Sequence, residues 1–423
     1  MKFIHFGCWN EGYCDIDDKD KNGMSLVMNS LLNLPEKSQP GFYIVAGDNY
    51  YPTKEKKKKE DKDKKEDKKD ESKEEKDKKD VTQSLKKHKD KENVTQTLKK
   101  HKDKEDVTQS LKKNKKKLKK KIFNEKDLES GFNCLRDIIT KQNNKAYIVM
   151  GNHDLQHEDN LYEKSETGDI KIDKCQIISS QLKFKESMMF KEYSIPLDTL
   201  QHTVCLFINS ILYSDDNKNS IECILKWKPE YHALMKEGDD DNKKIEKIIK
   251  KDEEELLNIL DNAIAEKGEN IKNIIVVGHD PVITLKTKKK YTLNQNGLDL
   301  LKKIYTKIDG TKNYYLCADT HQYQKVELKL HDTEFTQYVV GTGGTELDTQ
   351  CLENNNSFTT FGNIKYKLEE CIESFGYLEC TENGTSIDFK FVELPPTDKR
   401  KGRKTRKKRK KKKKRKTNKK YKK

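Results

Sequence analysis

Two lysine-rich segments restrict the folded core to part of this chain. Residues 53–121 hold 30 Lys and 17 Asp/Glu, and residues 399–423 hold 20 Lys/Arg and no acidic residue. Neither segment has enough apolar side chains to offset the entropy lost on ordering it. The 423-residue chain carries a net charge of +16, so the other 329 residues carry −17. That remainder is long enough for one large domain or two small ones.

The first segment is an insertion with an internal repeat. Val-Thr-Gln-Ser/Thr-Leu recurs every 13 residues, beginning at Val81, Val94 and Val107. In a helix, successive Val/Leu pairs would be rotated by roughly 220°, so no continuous apolar stripe would form. We expect residues 53–121 to be disordered or transiently helical, and an arm that binds nucleic acid or a partner is the alternative.

The second segment makes up most of a basic tail, residues 396–423, that we expect to be disordered. Its positive charge is suited to a polyanion such as RNA, DNA or anionic lipid. A nuclear address is an equally good interpretation of the same residues. Because Tyr421 is its one aromatic residue, base-specific recognition is not expected.

The remaining composition excludes some classes of protein. No apolar run approaches the roughly 18 to 20 residues that cross a bilayer. Residues 1–9 lack the pattern of a secretory signal peptide, so we expect an intracellular protein, cytoplasmic or nuclear. The ten cysteines are scattered, with no pair at CxxC spacing, and reduced thiols are therefore expected.

Short apolar runs alternate with amphipathic stretches outside the two segments. Residues 128–139 and 245–263 have apolar side chains at helical spacing, whereas 337–394 is rich in strand patterns. Six apolar runs are typical of buried strands: Phe3–Gly7, Phe42–Gly47, Ala146–Gly151, Thr203–Leu212, Ile274–Gly278 and Tyr314–Ala318. Strands that alternate with helices predict an α/β fold.

Polar clusters follow four of the predicted strands. They are Gly47-Asp48-Asn49, Gly151-Asn152-His153-Asp154, Gly278-His279-Asp280 and Ala318-Asp319-Thr320-His321. Ligands collect at the carboxyl ends of strands in an α/β sheet. Carboxylate, amide oxygen and neutral imidazole are ligands for Zn, Mn or Fe. A single strand-end His is more often a hydrogen-bonded loop residue, but four such clusters favour a metal site.

The order of these clusters resembles that of the calcineurin-like metallophosphoesterases. The block Gly47-Asp48-Asn49-Tyr50-Tyr51 is similar to the GDNFY block of their purple acid phosphatase branch. The resemblance covers one discontinuous domain, residues 1–52 and 122–395. It implies a four-layer α/β fold, a double β-sheet sandwich flanked by helices, that hydrolyses a phosphoester substrate at two metal ions, Mn, Fe or Zn.

The resemblance also implies a role for each strand-end residue. Asp48 would bridge the metals, and one metal would be completed by Asn152, His279 and Asp319. The other metal would be completed by His321 and the end of the first strand, with Tyr51 in the place of the iron-binding tyrosine. His153 would be the proton donor that contacts phosphate, oriented by Asp154.

Two departures from the family pattern affect the ligands. Cys8 and Asn10 stand where the family has Asp and His. Cys8 is therefore a zinc or iron ligand, a buried unligated thiol, or a redox or nucleophilic thiol, and Asn10 is a candidate metal ligand through its amide oxygen. Asp319 replaces a histidine, which favours harder cations such as Mn or Mg. A degenerate family member that acts as a binding module is therefore the alternative to an active phosphoesterase.

The tail hypothesis predicts a salt-dependent interaction. The full chain should bind a polyanion such as heparin with an affinity that falls steeply as salt rises, and deletion of residues 399–423 should abolish that binding. Isothermal titration at several salt concentrations measures both effects. Binding that survives the deletion would contradict the hypothesis.

Overall fold

The computed structural model describes residues 1–15, 22–54, 121–155, 161–165, 168–190, 192–214, 217–286, 290–348, 351–354 and 357–394. Residues 55–120 of the insertion and residues 395–423 lie outside these ranges. For residues 55–120 and 396–423 the predictions of disorder therefore stay predictions, whereas Thr53, Lys54 and Lys121, at the two ends of the predicted insertion, lie in strands.

The described residues form strands and helices in alternation through most of the chain. The strands are β1 Lys2–Phe6, β2 Phe42–Ala46, β3 Thr53–Lys54, β4 Lys121–Phe123, β5 Lys145–Val149, β6 Leu161–Ser165, β7 Gly168–Lys171, β8 Thr203–Phe207, β9 Asn273–Val277, β10 Ile283–Lys286, β11 Lys290–Leu293, β12 Lys312–Cys317, β13 Tyr323–Leu330, β14 Thr333–Val340, β15 Thr359–Phe361, β16 Ile364–Ile372, β17 Phe375–Asn383 and β18 Ser386–Leu394. The α-helices are α1 Gly23–Leu32, α2 Glu125–Lys141, α3 Asn152–Leu155, α4 Gln176–Gln181, α5 Ile221–Trp227, α6 Asp241–Lys267 and α7 Gln295–Tyr305. Each helix among these residues is too short or too polar to span a bilayer.

Two mixed sheets contain most of the strands. The five-stranded sheet has the order β18-β17-β1-β2-β5, in which β1, β2 and β5 run parallel. The seven-stranded sheet has the order β15-β16-β13-β14-β12-β9-β8, in which β8, β9, β12 and β14 run parallel. Within each sheet, the carboxyl ends of the parallel strands therefore lie at one edge.

One buried apolar cluster contains side chains from both sheets. Phe42 and Ile44 of β2 lie in it together with Ile275 of β9 and Leu316 of β12. Alternate residues of the same strands, such as Val45, lie in a second cluster with side chains of the helices. Because both faces of these strands are buried, their sequences are continuous apolar runs. The prediction of a mixed α/β fold is confirmed.

One predicted strand is shorter than its apolar run. The run Thr203–Leu212 forms strand β8 only as far as Phe207, and Ser210–Tyr213 form a 3₁₀ turn. The Ser210 hydroxyl accepts hydrogen bonds from the backbone N–H groups of His279 and Asp280, each at 2.9 Å. The turn thus fixes the backbone of a predicted ligand instead of extending the sheet.

Disulfide bonds contradict the expectation of reduced thiols. Six of the ten cysteines are paired: Cys14 with Cys134, Cys175 with Cys223, and Cys351 with Cys371. Cys8, Cys205, Cys317 and Cys380 are free and buried. The prediction was wrong because the partners are 20 to 120 residues apart, so that only the fold brings them together.

Helix α6 carries a buried charge within its apolar face. Asp240 caps its amino terminus by accepting a hydrogen bond from the Lys243 N–H at 2.9 Å. Its buried residues recur every three or four positions: Ile245, Ile248, Asp252, Leu256, Leu260 and Ala263. Asp252 occupies the centre of this face and is fully buried.

Lys228 compensates the charge of Asp252. Its Nζ lies 3.5 Å from Asp252 Oδ1, and the Tyr231 hydroxyl donates to the same oxygen at 2.9 Å. The ammonium group also lies 3.6 Å from the centre of the Tyr193 ring, a favourable cation–π contact. Removal of either charge would leave the other buried without compensation.

We predict that Asp252→Ala lowers the free energy of unfolding by about 3 to 5 kcal/mol, because it leaves the Lys228 ammonium buried and unpaired. The adjacent Glu253 forms an exposed ion pair with Lys303, so Glu253→Ala is a matched control that should cost about 1 kcal/mol or less. Urea denaturation followed by circular dichroism measures both. Equal losses in the two variants would contradict the prediction.

Candidate metal centre

The predicted strand-end residues collect at the carboxyl ends of parallel strands from both sheets. Asp48 follows β2, Asn152 follows β5, His279 follows β9, and Asp319 follows β12. At this edge the Gly7 N–H donates to the Val340 carbonyl at 3.0 Å, which joins the first sheet to the second. A Cβ atom on Gly7 would lie 2.6 Å from the Ala318 side chain, so the close approach requires glycine.

Three of the predicted ligands adopt an unusual backbone conformation. Cys8, Asp48 and Asp319 have φ angles of 52°, 50° and 52°. Few residues other than glycine adopt positive φ, and such strained residues cluster at functional sites. Each of the three lies two residues beyond the end of a strand, so the turn directs its side chain into the space between the strand ends.

Asp48 occupies the centre of the cluster and is 1% exposed. Its Oδ1 accepts a hydrogen bond from the His153 N–H at 3.0 Å and lies 3.2 Å from His279 Nε2. Its Oδ2 accepts a hydrogen bond from the Tyr51 hydroxyl at 2.7 Å. That hydroxyl lies 3.1 Å from His321 Nε2. The two carboxylate oxygens therefore face different sets of predicted ligands.

Backbone carbonyl groups select the tautomers of both predicted histidine ligands. His279 Nδ1 lies 2.7 Å from the Ala46 carbonyl oxygen, and His321 Nδ1 lies 2.8 Å from that of Glu346. A carbonyl only accepts, so the proton of each neutral ring resides on Nδ1. The lone pair on Nε2 then points into the cluster, which is how metal-binding histidines are commonly held.

Two buried amide oxygens of the predicted ligand set, Asn152 Oδ1 and Asn10 Oδ1, have no hydrogen-bond partner among the described residues. His279 Nε2 makes no well-formed hydrogen bond there either, and it lies 3.2 Å from Asp48 Oδ1. Buried polar atoms are normally paired, and an imidazole nitrogen beside a carboxylate and an amide oxygen is a donor set for a cation. The residues present therefore fit a metal ion.

The donor atoms form two overlapping groups. Cys8, Asp48 and His279 offer atoms within 4.8 Å of one another, and so do His279, Asp280 and Asp319. Asp280 was not among the predicted ligands, although its position directly after His279 in the Gly278-His279-Asp280-Pro281 cluster was a signal. Its backbone is fixed because the Tyr315 hydroxyl donates to its carbonyl at 2.7 Å.

Burial and mutual charge perturb the acid–base properties of this cluster. Burial alone would raise the pKa of Asp48, but the charges of His279 and His153 hold it well below its usual range. Burial lowers the pKa of His279, but the Asp48 carboxylate outweighs it and raises the pKa to about 10. Without another cation, His279 is therefore the positive partner of Asp48. A metal ion at this position has to replace that proton.

The environment of Cys8 argues against a reactive thiol. Burial, together with the negative charge of Asp48, raises the pKa of Cys8 well above its usual value. His5, the nearest histidine in sequence, faces the Cys317 carbonyl oxygen at 3.3 Å. Thiolate formation at Cys8 therefore requires a compensating cation, which favours a ligand or a buried neutral thiol.

The structure does not bring Asn10 into the cluster. Its Nδ2 donates to the Leu128 carbonyl of α2 at 3.1 Å, and a Cβ on Gly131 would lie 2.3 Å from its Oδ1. The side chain of Asn10 thus packs against a helix, and its proposed role as a ligand gains no support. The position of Asn10 in the sequence does not show whether its side chain points toward the cluster or toward helix α2.

His153 and Asp154 lie next to Asp48 but in different environments. The His153 ring is partly exposed and its centre lies 4.7 Å from that of Tyr51. The buried Asp154 carboxylate accepts hydrogen bonds from the Gly151 N–H at 2.8 Å and Gln181 Nε2 at 2.6 Å. Burial and the nearby Asp48 raise the pKa of Asp154 to about 7. Its predicted role of orienting His153 stays a prediction.

Lys286 lies at the rim of the cluster, at the end of β10. Its Nζ is 3.8 Å from Asp319 Oδ2 and 3.9 Å from Asp348 Oδ2, and its side chain is 36% exposed. Ion pairs of this length and exposure are weak. The ammonium group can therefore exchange one of these carboxylates for another anion.

Comparisons with known proteins leave the family of this chain open. No family model matches the sequence, and no curated protein matches it. Among solved structures, the chain is similar to "GAP50 the anchor in the inner membrane complex of Plasmodium", with 12% identity and a TM-score of 0.44 over 93% of this chain and 84% of that one. It is also similar to the "Structure of PhoD", with 9% identity and a TM-score of 0.39 over 93% of this chain and 68% of that one. Likenesses this distant carry no weight for function.

Proposed function

We propose that this chain is a metal-dependent phosphoesterase of the calcineurin-like type, nearest to the purple acid phosphatase branch. The observation that carries the proposal is the buried donor set around Asp48, in which Asn152 Oδ1 has no hydrogen-bond partner among the described residues and His279 Nε2 lies 3.2 Å from Asp48 Oδ1. The motif order and the strand-end positions support it. We also propose that the two sheets form the sandwich of that family over residues 1–52 and 122–395.

The two oxygens of Asp48 suggest how two cations would be shared. On the Oδ1 side, the candidate ligands are His279, Asn152, Asp319 and, in addition to the predicted set, Asp280. On the Oδ2 side, they are Tyr51 and His321, and Cys8 offers a further donor within 4.8 Å of both Asp48 and His279. Three carboxylates favour Mn or Fe, whereas the thiol of Cys8 favours Zn or Fe.

The chemistry divides between the cations and the side chains. When bound, two cations activate water at neutral pH and neutralise charge on phosphoryl oxygens. Asp48 holds the His153 backbone by a 3.0 Å hydrogen bond, so the partly exposed imidazole is fixed at the edge of the cluster. From there His153 donates a proton to the leaving oxygen of the substrate.

Disulfide bonds bear on where the protein acts. Three disulfides are typical of an oxidising compartment, which weighs against the predicted cytoplasmic or nuclear location. An oxidising compartment also suits ferric iron beside Tyr51, as in the purple branch. We therefore infer that iron is a suitable occupant of the Oδ2 side.

A first experiment tests hydrolysis and the role of His153. Metal-free protein should hydrolyse a chromogenic phosphoester after titration with Mn, Zn or Fe, and His153→Ala should lower kcat by about 10²- to 10⁴-fold because the leaving oxygen loses its proton donor. The exposed His232 provides the matched control, His232→Ala, which should leave kcat unchanged.

The outcomes separate the two candidate functions. Metal binding without hydrolysis by any of the three metals would favour the non-catalytic binding module. Hydrolysis that is unaffected by His153→Ala would contradict the proton-donor role but not the phosphoesterase.

A second experiment tests the role of Lys286 at the rim of the cluster. We propose that Lys286 contacts the phosphoryl group of the substrate, since a lysine is a common phosphate-binding point charge. Lys286→Ala should raise KM about 5- to 10-fold with little change in kcat, because a contact made equally in ground and transition states is lost. Lys286→Arg should restore KM, and the exposed Lys312→Ala is the control. A fall in kcat at constant KM would contradict this role.

A further inference from the structure

We propose that Asp348 and the Cys351–Cys371 disulfide position His321 for cation binding. The inference rests on the proposed function in one respect, namely that His321 is a ligand. Asp348 does not belong to the predicted ligand set and is a positioning residue. The disulfide is the covalent restraint that keeps its segment in place.

The segment Thr345–Asp348 satisfies three polar groups of His321. The His321 N–H donates to Asp348 Oδ2 at 3.2 Å, and the Asp348 N–H donates to the His321 carbonyl at 3.0 Å. The ring Nδ1–H donates to the Glu346 carbonyl at 2.8 Å. One short segment therefore fixes the backbone, the tautomer and the ring direction of His321, whose Nε2 faces Tyr51.

This segment lies outside the two sheets and is only partly buried. Glu346 is exposed, and Asp348 is half-buried. At its amino-terminal end the Thr345 N–H donates to the Cys8 carbonyl at 3.1 Å, which ties it to the first strand end. At its other end the described residues form no strand pairing, and the chain is held by the hydrogen bond from the Cys351 N–H to the Glu373 carboxylate and by the disulfide of Cys351.

The disulfide links this segment to β16, the neighbour of the strand that begins beside His321. Cys371 lies on β16, opposite Gln324 of the neighbouring strand β13. Cys351, three residues after Asp348, is bonded to it. Gln322 lies between them: its Nε2 donates to the Asp348 carbonyl at 3.4 Å, and its Oε1, which accepts from Gln324 Nε2, is 3.6 Å from Cys371 Sγ. The covalent link thus holds Asp348 against the residue after His321.

Loss of this restraint should weaken cation binding without removing a ligand. Groups that orient a metal-binding histidine typically contribute about 10- to 100-fold to metal affinity. Breaking the disulfide enlarges the range of positions open to Asp348, so His321 has to be ordered when the cation binds. The free energy needed to order His321 therefore lowers the affinity for the cation that His321 contacts.

Titration of the full metal-free chain with Mn²⁺, followed by the electron paramagnetic resonance signal of free Mn²⁺, tests the inference. We expect Asp348→Ala and the double variant Cys351→Ser/Cys371→Ser to weaken binding of one Mn²⁺ by about 10- to 100-fold. Asp348→Asn should bind within about threefold of the wild type, because its amide oxygen still accepts from the His321 N–H.

Matched variants identify the cause of any loss of Mn²⁺ affinity. Cys175→Ser/Cys223→Ser removes a disulfide that lies elsewhere in the fold and should leave Mn²⁺ affinity unchanged. Equal weakening in both disulfide variants, or wild-type affinity in Asp348→Ala, would overturn the inference. His321→Ala is the reference: if it binds Mn²⁺ like the wild type, the proposed ligand set itself is wrong. If His321→Ala weakens binding while Asp348→Ala does not, only the positioning role fails.

Discussion

A carboxylate buried at the junction of two sheets is the constraint on which the site depends. Asp48 is almost inaccessible, and a buried charge is costly unless it is paired and hydrogen-bonded. Three groups that approach it do so from different elements: the His153 N–H, the Tyr51 hydroxyl and the His279 ring. With His279 protonated, the charge is balanced by one proton. The same space accepts a cation if that proton leaves.

The rest of the architecture brings polar groups to this carboxylate at short range. A Cβ atom on Gly151 would lie 2.3 Å from the Asp48 N, so the β5 turn approaches β2 only because the residue is glycine. Asp154, buried behind the turn, accepts hydrogen bonds from Asn49 and Gly151 and so ties the two strand ends together. Positive φ at Cys8, Asp48 and Asp319 completes the arrangement. Backbone strain at these positions is compensated by the packed sheets beneath them.

Much of this arrangement could be predicted from local sequence, and the remainder depends on distant contacts. Buried strands are continuous apolar runs, and the polar residues that follow them are visible because parallel strands end at a common edge. The orientation of the Asn10 side chain could not be predicted from the sequence, because it depends on how α2 packs against the end of the first strand. Asp252 lies within an apolar face of α6, and its burial is explained only by the ion pair with Lys228, which the sequence does not reveal. The disulfides were missed for the same reason, and Asp280 was passed over although it adjoins His279.

The account depends on Asp48 as a ligand shared by two cations, and metal content tests this most directly. Elemental analysis of the full chain, loaded with Mn²⁺ and then dialysed, should give about two equivalents per chain in the wild type. Asp48→Ala should retain well under about one equivalent, because both sides of the cluster lose the shared carboxylate. A wild-type chain with no more than trace metal, or an Asp48→Ala variant that still holds the wild-type amount, would contradict the account.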